Sequence, residues 1–260
     1  MTDGPVRYDV ADGVATITLA DHERRNVLSE QAMSALGRYL DDSREDRSVR
    51  VVVLTGEGNT FCAGADLSGA SRTDDDSFAG SGPRALVRVL EAIVEHPAPV
   101  VARVQGHVAG GGNGLVAACD ISVVAESARF AFSEVRVGVA PAVISVVCLA
   151  RMHPTDAREL LLTGERVTAE RVLRAGLVTA VVPDDALDAT VQAYVGQLLL
   201  GGPTALQRTK ELLRLVPRLP VEDAFDWTAE LSGHLFASDE GREGMAAFLD
   251  RRRPSWAPPE

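Results

Sequence analysis

Three short stretches of this chain combine residue types that could carry chemistry. In Phe61-Cys62-Ala63-Gly64-Ala65-Asp66-Leu67 the small residues leave main chain exposed, so unpaired N–H groups can face a ligand's carbonyl oxygen. In Gln105-Gly106-His107-Val108-Ala109-Gly110-Gly111-Gly112-Asn113-Gly114 a glycine triplet lies between a strand and a helix. Glycines cost backbone entropy when ordered, so something should be gained there. At a helix start the free N–H groups and the helix dipole point the same way, which favours a developing negative charge. In Phe130-Ala131-Phe132-Ser133-Glu134-Val135-Arg136-Val137-Gly138-Val139-Ala140-Pro141 a carboxylate ends a short aromatic strand among apolar neighbours. Burial raises a carboxyl pKa toward neutrality, where the group can both take and return a proton.

Each stretch also has a plainer reading: a tight loop, a close approach of two backbones, and an exposed Glu134 paired with Arg136. A rival reading is open as well. Gly112-x-Gly114-x-x-Ala117 fits the dinucleotide fingerprint, and Glu134 follows about 20 residues later, near the ribose-acid spacing. Read that way, the chain is an NAD-binding, dehydrogenase-like domain. His107 is a lone histidine and receives no role. Neither a Gly-x-Ser-x-Gly elbow nor a His-x-x-x-His pair occurs, so serine hydrolase and zinc hydrolase chemistry lack support.

The elements that must position these stretches follow from periodicity. Val6 to Val10 and Val14 to Leu19 alternate around Asp12-Gly13, a β-hairpin signature. Ser29 offers an N-cap to a helix carrying Met33, Leu36 and Leu40, and Arg50 to Thr55 reads as a buried strand. Pro83 opens a second helix, with Leu86, Leu90, Ile93 and Val94 on one face, and Val100 to Val104 is the next buried strand. Asn113 to Cys119 reads as a short helix, Ile121 to Ala125 as a strand, and Arg129 to Phe132 as another extended piece. Alternation of strand and helix makes the class α/β. Beyond Val178 to Val182 the pattern turns helical, over Asp185 to Leu200, Pro203 to Leu215, Asp223 to Phe236 and Ser238 to Arg252. Gly69 to Gly82 is polar and rich in small residues, and reads as a mobile excursion or lid. The tail from Pro254 should be extended.

Composition narrows the partners. The 260 residues carry 26 Lys plus Arg against 37 Asp plus Glu, a formal charge of −11, with no clustered basic face for nucleic acid. At 46% hydrophobic and 24% charged residues, the chain has ample apolar sequence for a core. Lys210 is its one lysine, so almost every cation is arginine. Cys62, Cys119 and Cys148 are far apart and in no ligand spacing, which points to buried thiols in a reduced cytoplasmic setting without a metal. The longest uncharged apolar stretch, Val137 to Ala150, is too short to cross a bilayer, and Met1 to Pro5 shows no signal peptide.

Taken in order, Ala63-Gly64-Ala65-Asp66, Gln105-Gly106 to Gly112, Cys119-Asp120, and Glu134 with Gly138 and Pro141 resemble the enoyl-CoA hydratase/isomerase family, the crotonases. Leu162-Thr163-Gly164, Ala175-Gly176-Leu177-Val178 and Glu243-Gly244-Met245-Ala246-Ala247-Phe248-Leu249 extend the resemblance over nearly the whole chain. It implies a crotonase-like ββα spiral core over residues 1–182. It also implies a helical C-terminal region over 183–260 that closes the acyl pocket and builds homotrimers or dimers of trimers. The implied substrate is an acyl-CoA thioester, with no cofactor beyond the CoA that the substrate carries. The N–H groups of Ala65 and Gly111 would form the oxyanion hole. Ala63, Asp66, Leu67, Ser68 and Gly112 would line the substrate, with Arg25 or Arg24 near a CoA phosphate.

The departure from the family is informative. Many hydratases place one catalytic glutamate just after the glycine triplet, where this chain has Gly114; Glu134 matches the second acid. Gly112-Asn113-Gly114-Leu115, with Glu134 to Gly138 and Pro141 to Ser145, resembles bacterial branched-chain enoyl-CoA hydratases of the methylglutaconyl-CoA type, which also lack the first acid. The implied activity is addition of water to a 2-enoyl-CoA in fatty acid metabolism, with Glu134 as the sole general acid/base. A single-base double-bond isomerase and a catalytically weak acyl-CoA binder are the alternatives.

Overall fold

Asp12 and Gly13 both adopt positive φ (51° and 80°), as a two-residue hairpin turn requires, and they join β1 (Val6–Ala11) to antiparallel β2 (Val14–Leu19) with Val6 opposite Leu19. The structure is a computed structural model describing residues 4–67 and 77–258. The Ser29 hydroxyl accepts from Ala32 N–H and caps α1 (Glu30–Glu45), which buries Met33, Leu36 and Leu40. β3 (Val51–Gly56) is buried along its whole length and runs parallel to β2.

From β3 onward the chain repeats one plan: a strand in a large sheet, a short strand in a small sheet, then a helix. β3 is followed by β4 (Thr60–Cys62) and α2 (Ser77–Val94), and β5 (Val100–Val104) by β6 (His107–Ala109) and α3 (Gly111–Ala118). β7 (Ile121–Ala125) is followed by β8 (Arg129–Ala131), a 3₁₀ turn at Ser133–Val137 and α4 (Ala142–Cys148). Next come α5 (Pro154–Thr163), β9 (Arg166–Thr168), α6 (Ala169–Arg174) and β10 (Ala180–Val182). The six-stranded sheet has the order β1-β2-β3-β5-β7-β10 and the four-stranded sheet β4-β6-β8-β9. This is a ββα spiral and not a doubly wound single sheet, so the fold that the dinucleotide reading needs is absent among the described residues.

Each short strand starts a few residues after a long one, so every turn of the spiral delivers its loop to the same end of the small sheet. The apolar core fills the space between the two sheets and α1 to α6. On the other face of the large sheet, α7 (Leu187–Leu200) lays Leu187, Val191 and Val195 on Val51, Val53, Val101 and Val123. α8 (Pro203–Leu215), α9 (Val221–Ala237) and α10 (Asp239–Leu249) complete the C-terminal part. Lys210 on α8 pairs with Asp120 at 2.7 Å and donates to Ala98 O at 3.1 Å, tying that helix to the starts of β5 and β7.

Several expectations are corrected. The segment 69–76 of the expected lid lies outside the described residues, and 77–82 is helical. α2 therefore begins at Ser77 and contains Pro83, which forfeits one intrahelical bond but has a φ compatible with a helix. α3 begins at Gly111, two residues early, because Gly112 and Gly114 are pressed against neighbouring elements that demand helix without a side chain. Glu134 lies in a 3₁₀ turn beyond the end of β8. The tail is turned rather than extended: Ala257 N–H bonds Pro254 O, while Trp256 donates to Leu200 O and accepts from Arg50.

Candidate active site

The loop after β4 and the loop between β6 and α3 touch main chain to main chain. Gly64 has φ +88°, and a Cβ there would lie 2.9 Å from Ala109 O and 3.3 Å from Gly110 Cα. Gly110, the N-cap of α3, has φ +50°; its Cβ would lie 3.6 Å from Gly64 Cα and 3.7 Å from Glu134 Oε1. The positive φ favours glycine at both positions, and at Gly64 there is also no room for a Cβ, whereas the distances at Gly110 are ordinary van der Waals contacts. Gly64, Gly110 and the Glu134 carboxyl converge with no side chain between them, and Ala65 and Gly111 are the residues that follow the two glycines.

Main-chain bonding fixes how these peptides face. Gly64 O accepts Leu28 N–H at 2.8 Å, and Gly110 O accepts Asn113 N–H at 3.0 Å. In a trans peptide the carbonyl and the N–H of the next residue point in opposite directions. Anchoring Gly64 O and Gly110 O thus turns the N–H groups of Ala65 and Gly111 away from those anchors. Among the described residues neither N–H has a protein acceptor. Gly111 is also the first residue of α3, where the helix dipole is positive.

Glu134 is presented by a rigid turn. Gly138 closes the 3₁₀ turn at φ 81°, and Val139 N–H bonds Glu134 O at 3.1 Å. The side chain is half-buried, and Oε2 is inaccessible without a hydrogen-bond partner among the described residues. Burial holds the Glu134 carboxyl above the ordinary carboxylate value, against a smaller opposing backbone hydrogen bond. The pairing with Arg136 does not occur: Arg136 donates to Thr163 O at 3.1 Å. At Gly114 a Cβ would meet Ile144 Cγ2 at 2.5 Å and Leu90 Cδ1 at 3.5 Å, so an apolar wall closes that position.

The remaining expected site residues fall around this centre unevenly. Ala63 N–H bonds Arg25 O at 3.1 Å, so the two loops are joined there. Asp66 is ion-paired with Arg24, which also reaches Asp21 at 3.7 Å. Arg24 is therefore already engaged with carboxylates. Arg25 is exposed, has φ +57°, and forms no ion pair among the described residues. Leu67 is exposed, and Ser68 lies outside the described residues. Gly112 is buried with its Cβ position 2.9 Å from Cys62, which makes it a packing contact inside the core. Two contributors carried no sequence signal. Asn26 is buried at φ 54° and donates to Glu57 O and Thr60 O, bracing the turn before β4, and Leu28 anchors Gly64.

Comparison with known proteins decides the family. The sequence profile described as enoyl-CoA hydratase/isomerase matches residues 9–259. The chain belongs to the enoyl-CoA hydratase/isomerase family. It is 36% identical over 245 residues to a provisionally named enoyl-CoA hydratase of Thermus thermophilus, covering 93% of this chain and 96% of that one. It is 32% identical over 257 residues to the (E)-benzylidenesuccinyl-CoA hydratase of Thauera aromatica, covering 97% and 98%. Among solved structures, the enoyl-CoA hydratase of Mycobacterium smegmatis superposes with a TM-score of 0.92 at 34% identity, covering 98% and 99%. The fold is the crotonase fold.

Family membership gives the glycine motif its meaning. Gly112 and Gly114 lie inside α3 against Cys62 and Ile144, with no open turn for a dinucleotide's phosphates. The NAD-binding reading is therefore set aside. Among the described residues no three His, Cys, Asp or Glu side chains come together to hold a metal, and no helix is long and apolar enough to cross a membrane. The three thiols are buried, with pKa values pushed up to about 12 by burial.

Proposed function

We propose that this enzyme adds water to a 2-enoyl-CoA, with Ala65 and Gly111 N–H groups holding the thioester oxygen and Glu134 as the sole acid/base. The observation that carries the reading is the placement of the Glu134 carboxyl against Gly110, beside two main-chain donors that the protein leaves unpaired. The chemistry balances with one carboxylate. Water's O–H bond breaks as its oxygen bonds C3, and the proton passes to Glu134. The C2–C3 π electrons move onto the thioester oxygen, where the two N–H groups hold the enolate. Protonated Glu134 then returns its proton to C2. A carboxyl whose pKa is raised by burial suits both halves, because it is neither a very weak base nor a reluctant acid.

The closed wall at Gly114 favours a second reading. An isomerase needs only one base: Glu134 takes a proton from C2 of a 3-enoyl-CoA and returns it to C4, through a dienolate whose thioester oxygen is held by the same two N–H groups. The name of the Thauera relative, a hydratase of an acyl-CoA, supports hydration as the first reading. Exposed Phe225, Phe236 and Phe248 on α9 and α10 support the further proposal that the C-terminal helices pair with other copies of the chain in a trimer or dimer of trimers.

The test is turnover of crotonyl-CoA, a branched 2-enoyl-CoA and a 3-enoyl-CoA by the wild type and by Glu134→Gln. Hydration that falls about 10²- to 10⁴-fold in the variant is expected. Turnover of the 3-enoyl-CoA alone selects the isomerase. Affinity for the thioesters without turnover of any would leave an acyl-CoA binder, and undiminished activity in the variant removes Glu134 from the mechanism.

A further inference from the structure

Asn113 is fully buried in the first turn of α3, yet its Oδ1 has no hydrogen-bond partner among the described residues. A buried, unsatisfied amide oxygen is destabilising, and an apolar side chain of the same shape would avoid that. Local rules of this kind are broken where something is gained. What Asn113 gains is on its other atom. Nδ2 donates to Gly110 O at 3.1 Å and to Ala131 O at 2.9 Å.

These two carbonyls belong to the two halves of the candidate site. Gly110 O is in the same peptide as the Gly111 N–H; Asn113 holds it twice, through its main-chain N–H at 3.0 Å and through Nδ2, and Gly110, at φ +50° with no side chain, adds no restraint of its own. Ala131 O lies at the end of β8, three residues before Glu134, and also accepts Gly110 N–H at 3.1 Å. One side-chain amide therefore ties the peptide of the candidate oxyanion donor to the strand that delivers the candidate acid. Because C=O and N–H oppose each other across a trans peptide, holding Gly110 O toward Asn113 keeps the Gly111 N–H turned away from the helix.

We infer that Asn113 is a positioning residue for this enzyme: its Nδ2 locks the Gly110–Gly111 peptide so that the Gly111 N–H stays aimed at a thioester oxygen, and it fixes that donor relative to Glu134. The inference rests on the oxyanion-hole reading above, and the experiment separates the two. The readout is the isotope-edited infrared carbonyl band of a saturated acyl-CoA, labelled with ¹³C at the thioester carbon and bound to the wild type, Asn113→Ala and Asn113→Ser. Hydrogen bonds from the hole lower that frequency without any turnover. A serine hydroxyl can reach the carbonyl three residues back, which here is Gly110 O, but supplies no donor for Ala131.

The wild-type band is expected well below its position in water. In Asn113→Ala it should move back toward the free value, with kcat down about 10²-fold, as for loss of one oxyanion donor, and KM little changed. Asn113→Ser should recover most of the band shift. If Asn113→Ala does not fold, Asn113→Leu, which keeps the volume and lacks the donor, takes its place. A wild-type band unchanged from water would defeat the oxyanion-hole reading itself. A shifted wild-type band that Asn113→Ala or Asn113→Leu leaves in place, or that Asn113→Ser fails to restore, would overturn the role given to Asn113.

Discussion

Gly114→Ala, measured with and without Ile144→Ala, tests the wall that replaces a second carboxylate. A methyl group on Gly114 would stand 2.5 Å from Ile144 Cγ2 and 3.1 Å from its Cβ. Ile144 is 2% exposed on α4 and is β-branched, so its χ1 cannot swing away within a helix. Overpacking of this kind costs about 1–3 kcal/mol. Alanine gains about 1 kcal/mol over glycine in a helix interior, which offsets part of that cost. The single variant should therefore lose about 1 kcal/mol. Ile144→Ala alone should lose about 2–5 kcal/mol. In that background the 2.5 Å contact is gone, and the 3.1 Å contact yields to a small shift. Gly114→Ala should then be neutral or stabilising by up to about 1 kcal/mol, a coupling of about 2 kcal/mol between the two positions. Urea unfolding of the four proteins, with m-values compared, reads the cycle. Equal costs for Gly114→Ala in both backgrounds would refute the closed wall at this position.

Three pH dependences follow from burial of Glu134 and His96. The kcat/KM profile should show an acid limb set by a pKa above the ordinary 4.5 of a glutamate, because the proposed mechanism needs Glu134 ionised in the free enzyme to accept water's proton; Glu134→Gln should abolish that limb. Since the folded pKa is raised, the contribution of Glu134 to stability is present at low pH and lost as pH rises through the folded value. Glu134→Gln should therefore be more stable than the wild type at pH 8 by denaturant titration. His96 has the opposite sign. It is 1% exposed, with Nε2 3.1 Å from Ser43 Oγ, and burial lowers its pKa to about 4 from 6.5. Its neutral ring stabilises the fold fully above pH 6.5, and about 3 kcal/mol should be lost as pH falls from there to about 4. His96→Gln should flatten that slope in urea midpoints between pH 7 and 4.5.

The parts of the fold that the sequence disclosed are those with strong local signals. Asp12-Gly13 marked a hairpin turn with two positive φ angles, Ser29 capped α1 as expected, and β5 spans Val100–Val104 as the apolar run indicated. The strands of the small sheet were harder to see. Thr60–Cys62 and His107–Ala109 have three residues each, too few for a period, and their identity comes from pairing with distant chain. α4 was hidden because Ala142–Cys148 is a short apolar run that fits helix and strand alike. At the candidate site, Glu134 could be singled out from its apolar setting. Ala65 and Gly111 are proposed to act through main chain, which leaves no residue type to recognise, and only the resemblance to crotonases pointed to them. Leu28, Asn26 and Ile144 act through tertiary contacts that no spacing encodes.

The central claim is that two main-chain donors and one carboxylate meet at a thioester. A crystal structure of the full chain with a saturated acyl-CoA bound tests it most directly. The thioester oxygen should lie about 3 Å from both Ala65 N and Gly111 N, with the Glu134 carboxyl facing C2 and C3 of the acyl chain. A carbonyl oxygen bonded elsewhere, or an acyl chain that leaves C2 and C3 out of reach of Glu134, would contradict it.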